Sequence, residues 1–340
     1  MNCNKTHGAI QKQIMTKSII FILVILSQSA FAQKTDLRQA LHSIISEMAD
    51  DNMYKSASIG YGAAKTKQWA RFVELKKIAT ADDLISLTNE ESPAVRCYAF
   101  QALVEMQNVK AFDILLEHLA DNEEIQSFEG MVVKKQKTGD FFLKLYPLRG
   151  DEQSLVDSVL LFNPDVRLAA KSDLLQKIKP KTAYYSRIKE IATNEDTPSA
   201  LIAIAKFQKK KDIPLIVDRL QGKANDQFYA LRAVRYFPDN AFFPYLKKIQ
   251  QSQIKEQVQP NHNLIRVLYL AVVQYKDQRS RELIEKSLQS TKGQTKKNHA
   301  KFIWLALSKY PNAAYSGLKK EIKLSNFDKK TMQHWLNEGD

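Results

Sequence analysis

The chain has 340 residues, a formal net charge of +14 and 10 glycines. Because helix interiors tolerate glycine poorly, this low glycine content favours an all-helical chain. Of the two cysteines, Cys3 lies in the N-terminal segment described next and Cys97 has no second thiol to pair with. An internal disulfide is therefore excluded, and the stability of the fold must come from packing.

Residues 1–32 have the pattern of a secretory signal peptide. Three lysines precede an apolar run at 19–26, and a small-residue A-x-A ending follows at 30–32. The run is about half of the roughly 18 residues that suggest a membrane-spanning helix. We expect cleavage before Gln33 and export to the periplasm, the cell envelope or the medium. An uncleaved anchor is the alternative, and Met15 is an alternative start of translation.

Positive charge is concentrated near the C-terminus. Residues 33–240 hold 30 Lys and Arg against 29 Asp and Glu, whereas residues 241–340 hold 18 against 8. Nearly all of the positive excess of the mature chain therefore lies in its last hundred residues.

Residues 33–68 are predicted to form an N-terminal capping helix, over 36–48, followed by a surface loop. The loop includes the sequence GYGAAKT, which resembles a phosphate-binding loop. A Walker loop has glycine directly before its Lys-Thr pair and again five residues earlier, but Ala64 and Ile59 occupy these places. We therefore expect no nucleotide site.

A motif recurs at a period of about 35 residues in the following region. Residues 92–96 read Ser-Pro-Ala-Val-Arg, residues 163–167 read Asn-Pro-Asp-Val-Arg, and Thr197-Pro198 follows 34 residues after the start of the second motif. A Ser, Asn or Thr oxygen accepts a hydrogen bond from a free N–H of the first helical turn, and proline at the first helical position loses no hydrogen bond. Each motif therefore predicts a helix start.

Further helices are predicted from the same spacing and from apolar residues at intervals of three and four. Helices are expected to begin near Asp226, Asn261 and Lys297. Their partner helices are expected over 82–87, 111–119, 184–191, 214–220, 243–249 and 281–288. Because neither helix of a pair can bury its apolar stripe alone, the pairs must stack.

One unit departs from this pattern. Residues 127–140 contain two glycines around a basic, β-prone stretch, which predicts a short hairpin or a loop before a helix at 141–146. The stretch is either a degenerate repeat or an insert that binds a partner, since inserts in solenoids tend to emerge on one face. Lys134, Lys135 and Lys137 are the candidate residues of this binding loop.

An acidic turn, proline, Val-Arg, an alanine three residues later and then Ala-Leu together resemble the HEAT repeat, best at 82–119 and less well at 155–175. The resemblance implies a right-handed α-solenoid of about six to seven antiparallel helix pairs over 69–340. It implies a concave face that holds proteins or nucleic acids, and it supplies no catalytic residues. It also implies that Arg96 and Arg167 bond the neighbouring turn.

No pattern of catalytic or metal-binding residues stands out. His118 has acidic residues around it, but a histidine with acids at a helix end is more typical of a solvated last turn, where imidazolium suits the helix dipole. Cys97 follows Arg96 near a helix start, which favours a lowered thiol pKa, yet a buried core cysteine is the simpler interpretation. We expect no enzymatic activity, no cofactor and no metal.

The basic C-terminal third carries the clearest functional signal. Between 286 and 330, lysines alternate with aromatic residues, and only Glu321 and Asp328 are acidic. Lysines with interleaved aromatics can follow a polyanion, although lysines that only solvate outer helices are the alternative. The candidate binding residues are Lys292, Lys296, Lys297, Lys301, Lys319, Lys320, Lys323, Lys329 and Lys330.

Two functions of different classes follow from these features. The first is a non-catalytic exported scaffold that presents a concave helical surface to a protein partner. The second is a binder of an anionic envelope polymer or of the membrane surface through the basic C-terminal third. Export argues against chromosomal DNA as the partner. Affinity for a polyanion falls steeply as salt is added, whereas binding in an apolar groove does not.

Overall fold

The computed structural model describes residues 36–255 and 260–337. The predicted signal peptide at 1–32 and its cleavage site lie outside these residues. Within the described part, the protein is mostly helical, as predicted, and it also contains one four-stranded sheet. The expectation of an all-α chain is therefore right for most of the fold and incomplete for the N-terminal part.

The chain divides into two compact units between Val159 and Leu160, a division that the sequence did not indicate. The first unit begins with helix α1 over 36–51, where a helix was predicted. Its other helices are α2 (Lys67–Ile78), α3 (Ala81–Leu87), α4 (Pro93–Glu105), α5 (Ala111–Glu117) and α6 (Thr138–Leu145). Its strands are β1 (Met53–Ile59), β2 (Ala64–Lys65), β3 (Glu124–Gly130) and β4 (Val132–Lys137).

The sheet has the strand order β2-β1-β3-β4. β1 and β3 are parallel, with Tyr54 opposite Ser127, and β3 and β4 are antiparallel and joined in a hairpin at Gly130, where φ is +58°. The prediction of a loop after the first helix is wrong over residues 53–59, because this segment hydrogen-bonds to a strand more than 70 residues later. Of the two forms predicted for 127–140, the hairpin is observed.

Helix α4 lies at the centre of the first unit. Ser92 Oγ accepts a hydrogen bond from the Val95 N–H at 3.4 Å and Pro93 is the first helical residue, so the helix start predicted there is confirmed. Most of the helix is buried, and Phe100 stacks on Phe142 of α6 with ring centroids 4.0 Å apart. A helix that is apolar around most of its circumference is typical of an element covered on several sides.

The division between the two units falls within α7 (Glu152–Phe162). The described residues of the second unit are otherwise helices joined by short connections. These helices are α8 (Ala169–Lys177), α9 (Tyr185–Asn194), α10 (Ala200–Ala205), α11 (Ile213–Gln221), α12 (Ala224–Val234), α13 (Phe243–Lys255), α14 (His262–Val272), α15 (Gln278–Ser290), α16 (Gly293–Lys309), α17 (Leu318–Glu321) and α18 (Asn326–Asn337). Helical residues occupy all six ranges predicted for partner helices.

The predicted helix starts hold in most places. Asn261 caps α14, since its Oδ1 accepts from the Leu264 N–H at 3.0 Å. Helices α12 and α16 begin two and four residues before the predicted positions, and α10 begins at Ala200, just after Thr197-Pro198. The predicted helix starts in the second unit therefore lie within a few residues of the observed ones, with one exception.

That exception is Asn163-Pro164, where the prediction of a helix start is wrong. The Asn163 Oδ1 accepts from the Asp165 N–H at 2.9 Å, which closes a turn, and α8 begins only at Ala169. Asparagine side chains favour such turns as readily as helix caps, so the residue types alone do not separate the two outcomes.

In the second unit, each even-numbered helix from α8 to α18 contacts the next even-numbered helix. α9, α11, α13 and α15 each contact the even-numbered helix that follows them in the chain. One continuous apolar core links these helices from Leu161 to Met332. The core therefore extends through the second unit to α18.

Candidate functional site

Lysines of the basic C-terminal third lie on and between α16, α17 and α18. Eight of the nine candidate lysines there are exposed, and we call them together the C-terminal basic surface: Lys292, Lys296, Lys297, Lys319, Lys320, Lys323, Lys329 and Lys330. The ninth, Lys301, is half-buried, and its Nζ lies 3.6 Å from an Asp328 carboxylate oxygen. Lys301 therefore links α16 to α18 instead of facing a partner.

The lysines of the C-terminal basic surface lie outside the ion pairs of the described residues. Among the residues that the structure describes, none of these eight lysines forms an ion pair with an acidic side chain. In the first unit, by contrast, exposed lysines such as Lys77 and Lys135 each lie within 4 Å of a glutamate oxygen. Exposed lysines without a described acidic partner also occur in the first unit, as at Lys65 and Lys110, but eight of them lie between residues 292 and 330 on the C-terminal basic surface.

Aromatic contacts fix the helices that carry this surface. The Trp335 ring of α18 stacks near Phe302 of α16, with centroids 5.7 Å apart, and the Arg266 guanidinium lies 5.4 Å from the Trp335 ring centroid. The Lys319 ammonium lies 4.7 Å from the centroid of Trp304. Most of the aromatics that alternate with lysines in the sequence therefore pack inward, as the structural alternative predicted.

An open pocket of about 520 Å³ lies at the end of α15, the start of α16 and α17. Its cationic lining residues are Lys296, Lys297 and Lys323. Glu321 and the apolar side chains of Leu288 and Ile322 also line it. Three ammonium groups against one carboxylate favour an anion over a cation here.

A smaller pocket of about 80 Å³ lies elsewhere in the second unit, between Glu195, Arg219 and Asp226. The basic pocket, at about 520 Å³, is several times larger. The larger basic pocket is therefore the better candidate for binding a partner group.

The hairpin lysines differ from those at the C-terminus. The Lys134 Nζ lies 3.8 Å from a Glu129 oxygen, and the Lys135 Nζ lies 3.6 Å from a Glu124 oxygen across the β3-β4 pair. Lys137 ends β4 and also has a partner. Because opposite charges offset one another along this hairpin, it presents little net charge to a polyanion.

Arg96 bonds the turn before α4, as the repeat resemblance implied. Its Nη1 donates to the carbonyl oxygens of Glu90 and Glu91 at 2.8 Å each, and its Nε lies 2.9 Å from an Asp121 oxygen. Burial alone would raise the pKa of Asp121, but the hydrogen bond from His118 and the charge of Arg96 outweigh it and lower that pKa. Arg96, Asp121 and His118 therefore have a structural role in the first unit.

In the second motif, the buried Lys171 bonds the turn before the helix. Arg167 is exposed, whereas Lys171, four residues later, is fully buried. The Lys171 Nζ donates to the carbonyl oxygens of Asn163 and Val166 at 3.4 and 3.2 Å and lies 2.7 Å from a Glu195 oxygen. Lys171 therefore bonds this turn, and the role that the resemblance implies for Arg167 stays a prediction.

His118 and Cys97 fit structural roles. His118 is buried, with Nδ1 3.7 Å from an Asp121 oxygen, so the prediction of a solvated last turn is wrong for this side chain. Within the described ranges, no group of three or more His, Cys, Asp or Glu side chains is arranged to hold a metal ion. Cys97 is fully buried, which confirms the core interpretation, and its burial raises the thiol pKa well above the usual value.

One surface residue was missed by the sequence analysis. Phe327, in the first turn of α18, has 78% of its surface exposed. It lies among the lysines of the C-terminal basic surface, between Lys323 and Lys329. In the sequence, Phe327 looks like the other aromatics that alternate with lysines. It differs from them because it lies on the exposed side of α18, whereas Met332 and Trp335 of the same helix pack against the core.

No protein-family model matches this sequence, and no curated protein matches it either. Among the described helices, none is long and apolar enough to cross a membrane. The functional conclusion therefore depends on the geometry and charge of this chain.

Proposed function

We propose that this chain is a non-catalytic binding protein that holds an anionic partner on its C-terminal basic surface. The observation that carries the proposal is the exposure of eight lysines without acidic partners among the described residues. Ammonium groups that are close together and not neutralised create a positive potential, which attracts polyanions and extends over about 8 Å at physiological salt. Lys296, Lys297 and Lys323 all line the larger pocket of this surface.

We also propose that the second unit is an α-solenoid of HEAT-like helix pairs. The contacts of each even-numbered helix with the next support this arrangement, because a solenoid unit contacts only its neighbours along the stack. In this arrangement, the C-terminal basic surface lies on the last pairs. The preceding residues 160–290 of the second unit also carry a positive excess, with 23 Lys and Arg against 13 Asp and Glu.

We propose that the protein acts outside the cytoplasm, in the periplasm, in the cell envelope or in the medium. Support comes from the lysines, apolar run and A-x-A ending of residues 1–32. N-terminal sequencing of the protein recovered from cell fractions tests this part. We expect a chain that begins at Gln33, whereas full-length protein in the membrane fraction would indicate an uncleaved anchor.

Binding of the mature chain to dextran sulfate at increasing salt tests the anion proposal. We expect affinity at low salt that falls steeply with ionic strength, because each neutralised charge releases counterions. In the double variant K296Q/K297Q both the affinity and the salt slope should decrease. The double variant K134Q/K135Q removes the same charge from the hairpin and serves as the matched control, with binding close to that of the wild type. Equal losses in both variants would contradict the assigned location.

A second candidate function is a scaffold that presents a concave helical surface to a protein partner. The continuous series of contacts from α8 to α18 favours it, since such stacks form extended binding surfaces. Crosslinking in cells followed by identification of the attached protein tests this candidate. A partner whose binding survives high salt and the K296Q/K297Q change would favour the scaffold over the anion binder.

A further inference from the structure

Phe327 is an unusual residue for its position. Its side chain is 78% exposed in the first turn of α18, while Met332 and Trp335 of the same helix pack against the core. Leaving a phenyl ring in water forgoes the favourable free energy of burying it. A ring held outward on an otherwise well-anchored helix is therefore available to an apolar environment supplied by another molecule.

The helix that carries Phe327 is held in place at both ends. Near its start, the Ser325 Oγ accepts from the Asp328 N–H at 3.1 Å, and Asp328 lies 3.6 Å from the Lys301 ammonium of α16. Further along, the Trp335 ring packs near Phe302. The outward direction of Phe327 is thus fixed by the packing of the opposite side of the helix.

The charges around Phe327 select the kind of surface that it would enter. Lys323, Lys329 and Lys330 lie within four residues of it, all exposed. Lys323 also lines the larger pocket with Lys296 and Lys297, so the positive surface continues from α18 to the start of α16. An exposed aromatic ring inside a group of lysines is the pattern by which a peripheral protein contacts a bilayer of anionic lipids, with the ring among the upper acyl chains and the ammonium groups among the phosphates.

We propose that the anionic partner is a lipid bilayer with anionic headgroups, and that Phe327 enters it while the surrounding lysines bind the headgroup phosphates. This inference rests on the proposed function, because it specifies the partner of the C-terminal basic surface. A soluble polyanion satisfies the lysines alone, whereas a bilayer also accommodates the phenyl ring. Binding to a bilayer should therefore depend on the side chain of Phe327, whereas binding to a soluble polyanion should not.

The test compares vesicles of equal parts phosphatidylglycerol and phosphatidylcholine with dextran sulfate, using the mature chain. In F327A, we expect vesicle affinity to fall about tenfold to a hundredfold, since most of the transfer free energy of one aromatic side chain is lost. Affinity of this variant for dextran sulfate should stay at the wild-type value. Y61A is the matched control, because Tyr61 is 96% exposed in the first unit and is not part of the C-terminal basic surface, so this change should leave both affinities unchanged.

A second variant gives a direct readout of insertion. In F327W, the emission in excess of the wild type, whose Trp69, Trp304 and Trp335 also emit, should shift to shorter wavelength on adding the phosphatidylglycerol vesicles and should not shift with dextran sulfate. K329Q/K330Q should lower vesicle affinity at low salt and flatten its salt dependence. Because Phe327, Lys329 and Lys330 are exposed, these variants should fold like the wild type, which circular dichroism checks.

The outcomes separate the inference from the proposed function. Wild-type vesicle affinity in F327A, or unshifted emission in F327W, would overturn the insertion of Phe327. Salt-sensitive binding to dextran sulfate without binding to the vesicles would overturn the lipid partner and leave the anion proposal standing. Absence of binding to both would overturn the two together.

Discussion

His299 is a buried histidine of α16 whose Nδ1 lies 2.5 Å from the hydroxyl oxygen of Tyr269. Burial lowers the pKa of His299 to about 4, because desolvation penalises the imidazolium form. The unfolded chain binds this proton near the ordinary pKa of about 6.5, so between these two values it holds more protons than the folded chain. Stability contributed by the neutral ring is therefore complete above about pH 6.5 and is lost as the pH falls toward 4.

This difference predicts a loss of up to about 3 kcal/mol in the free energy of unfolding on acidification. Urea titrations at pH 7, 6 and 5 measure it. H299Q keeps a hydrogen-bonding group beside Tyr269 but cannot titrate, so its stability should change less over this range. An identical pH dependence in H299Q and the wild type would show that another group is responsible.

Gly222 precedes α12 at a point of close approach. A Cβ placed on it would lie 2.7 Å from the Oδ2 of Asp226. That oxygen accepts a hydrogen bond from the Lys223 N–H at 3.2 Å at the start of the helix. G222A should therefore displace the Asp226 side chain and cost about 1 kcal/mol, as the loss of a helix cap does.

Chemical denaturation of G222A against G62A checks this prediction. A Cβ on Gly62 meets no atom within 4 Å, so that substitution adds a methyl group in open space. Equal effects of the two substitutions would contradict a cost set by the contact with Asp226.

At the scale of the element, Lys171 connects α8 to the turn before it and to the chain that follows α9. Its ammonium group is buried between two carbonyl oxygens and Glu195, whose carboxylate also binds Arg187. K171M should destabilise the protein by about 3 kcal/mol, since it leaves a partly buried carboxylate and carbonyl groups without their donor.

R167A is the matched comparison for K171M, because Arg167 occupies the motif position that corresponds to Arg96. Its side chain is exposed, so the expected cost is within about 0.5 kcal/mol. Thermal or urea unfolding of both variants measures the difference. If R167A lowers the free energy of unfolding more than K171M does, Arg167 and not Lys171 stabilises the turn, as Arg96 does in the first motif.

Helix positions were largely predictable from sequence because their causes are local. Ser92 and Asn261 cap helices with their own side chains, and the apolar intervals of the partner helices are set by the helical repeat. Asn163 was misassigned because the same side chain closes a turn equally well. Strand β1 was missed because its pairing partner, β3, lies far along the chain and its small polar residues have no strong local preference.

At the scale of the whole molecule, the position of the candidate surface was predictable and its detail was not. Charge counts located the basic surface, since lysines are rarely buried. The sequence did not separate Lys301, which pairs with Asp328, from its exposed neighbours, or Phe327 from the aromatics that pack inward. Both distinctions depend on how α16 and α18 face each other.

The uneven charge also predicts how stability depends on salt. Eight exposed lysines without described acidic partners repel one another, and this repulsion opposes the folded state at low ionic strength. Raising NaCl to about 0.15 M should therefore raise the midpoint of thermal unfolding by screening the repulsion. The increase should be smaller in K296Q/K297Q than in K134Q/K135Q, and the reverse order would contradict an uncompensated C-terminal surface.

The parallel pairing of β1 with β3 has a consequence for the order in which the protein folds. Met53 lies opposite Gln126, so four complete helices, α2 to α5, intervene before the central pair of the sheet closes. Closing such a loop costs conformational entropy before any strand pairing compensates for it, which slows folding, whereas neighbouring helices meet through contacts that are close in the chain. We therefore expect the sheet to set the slowest step of refolding, and β1 to be the last segment whose amides gain protection from hydrogen exchange.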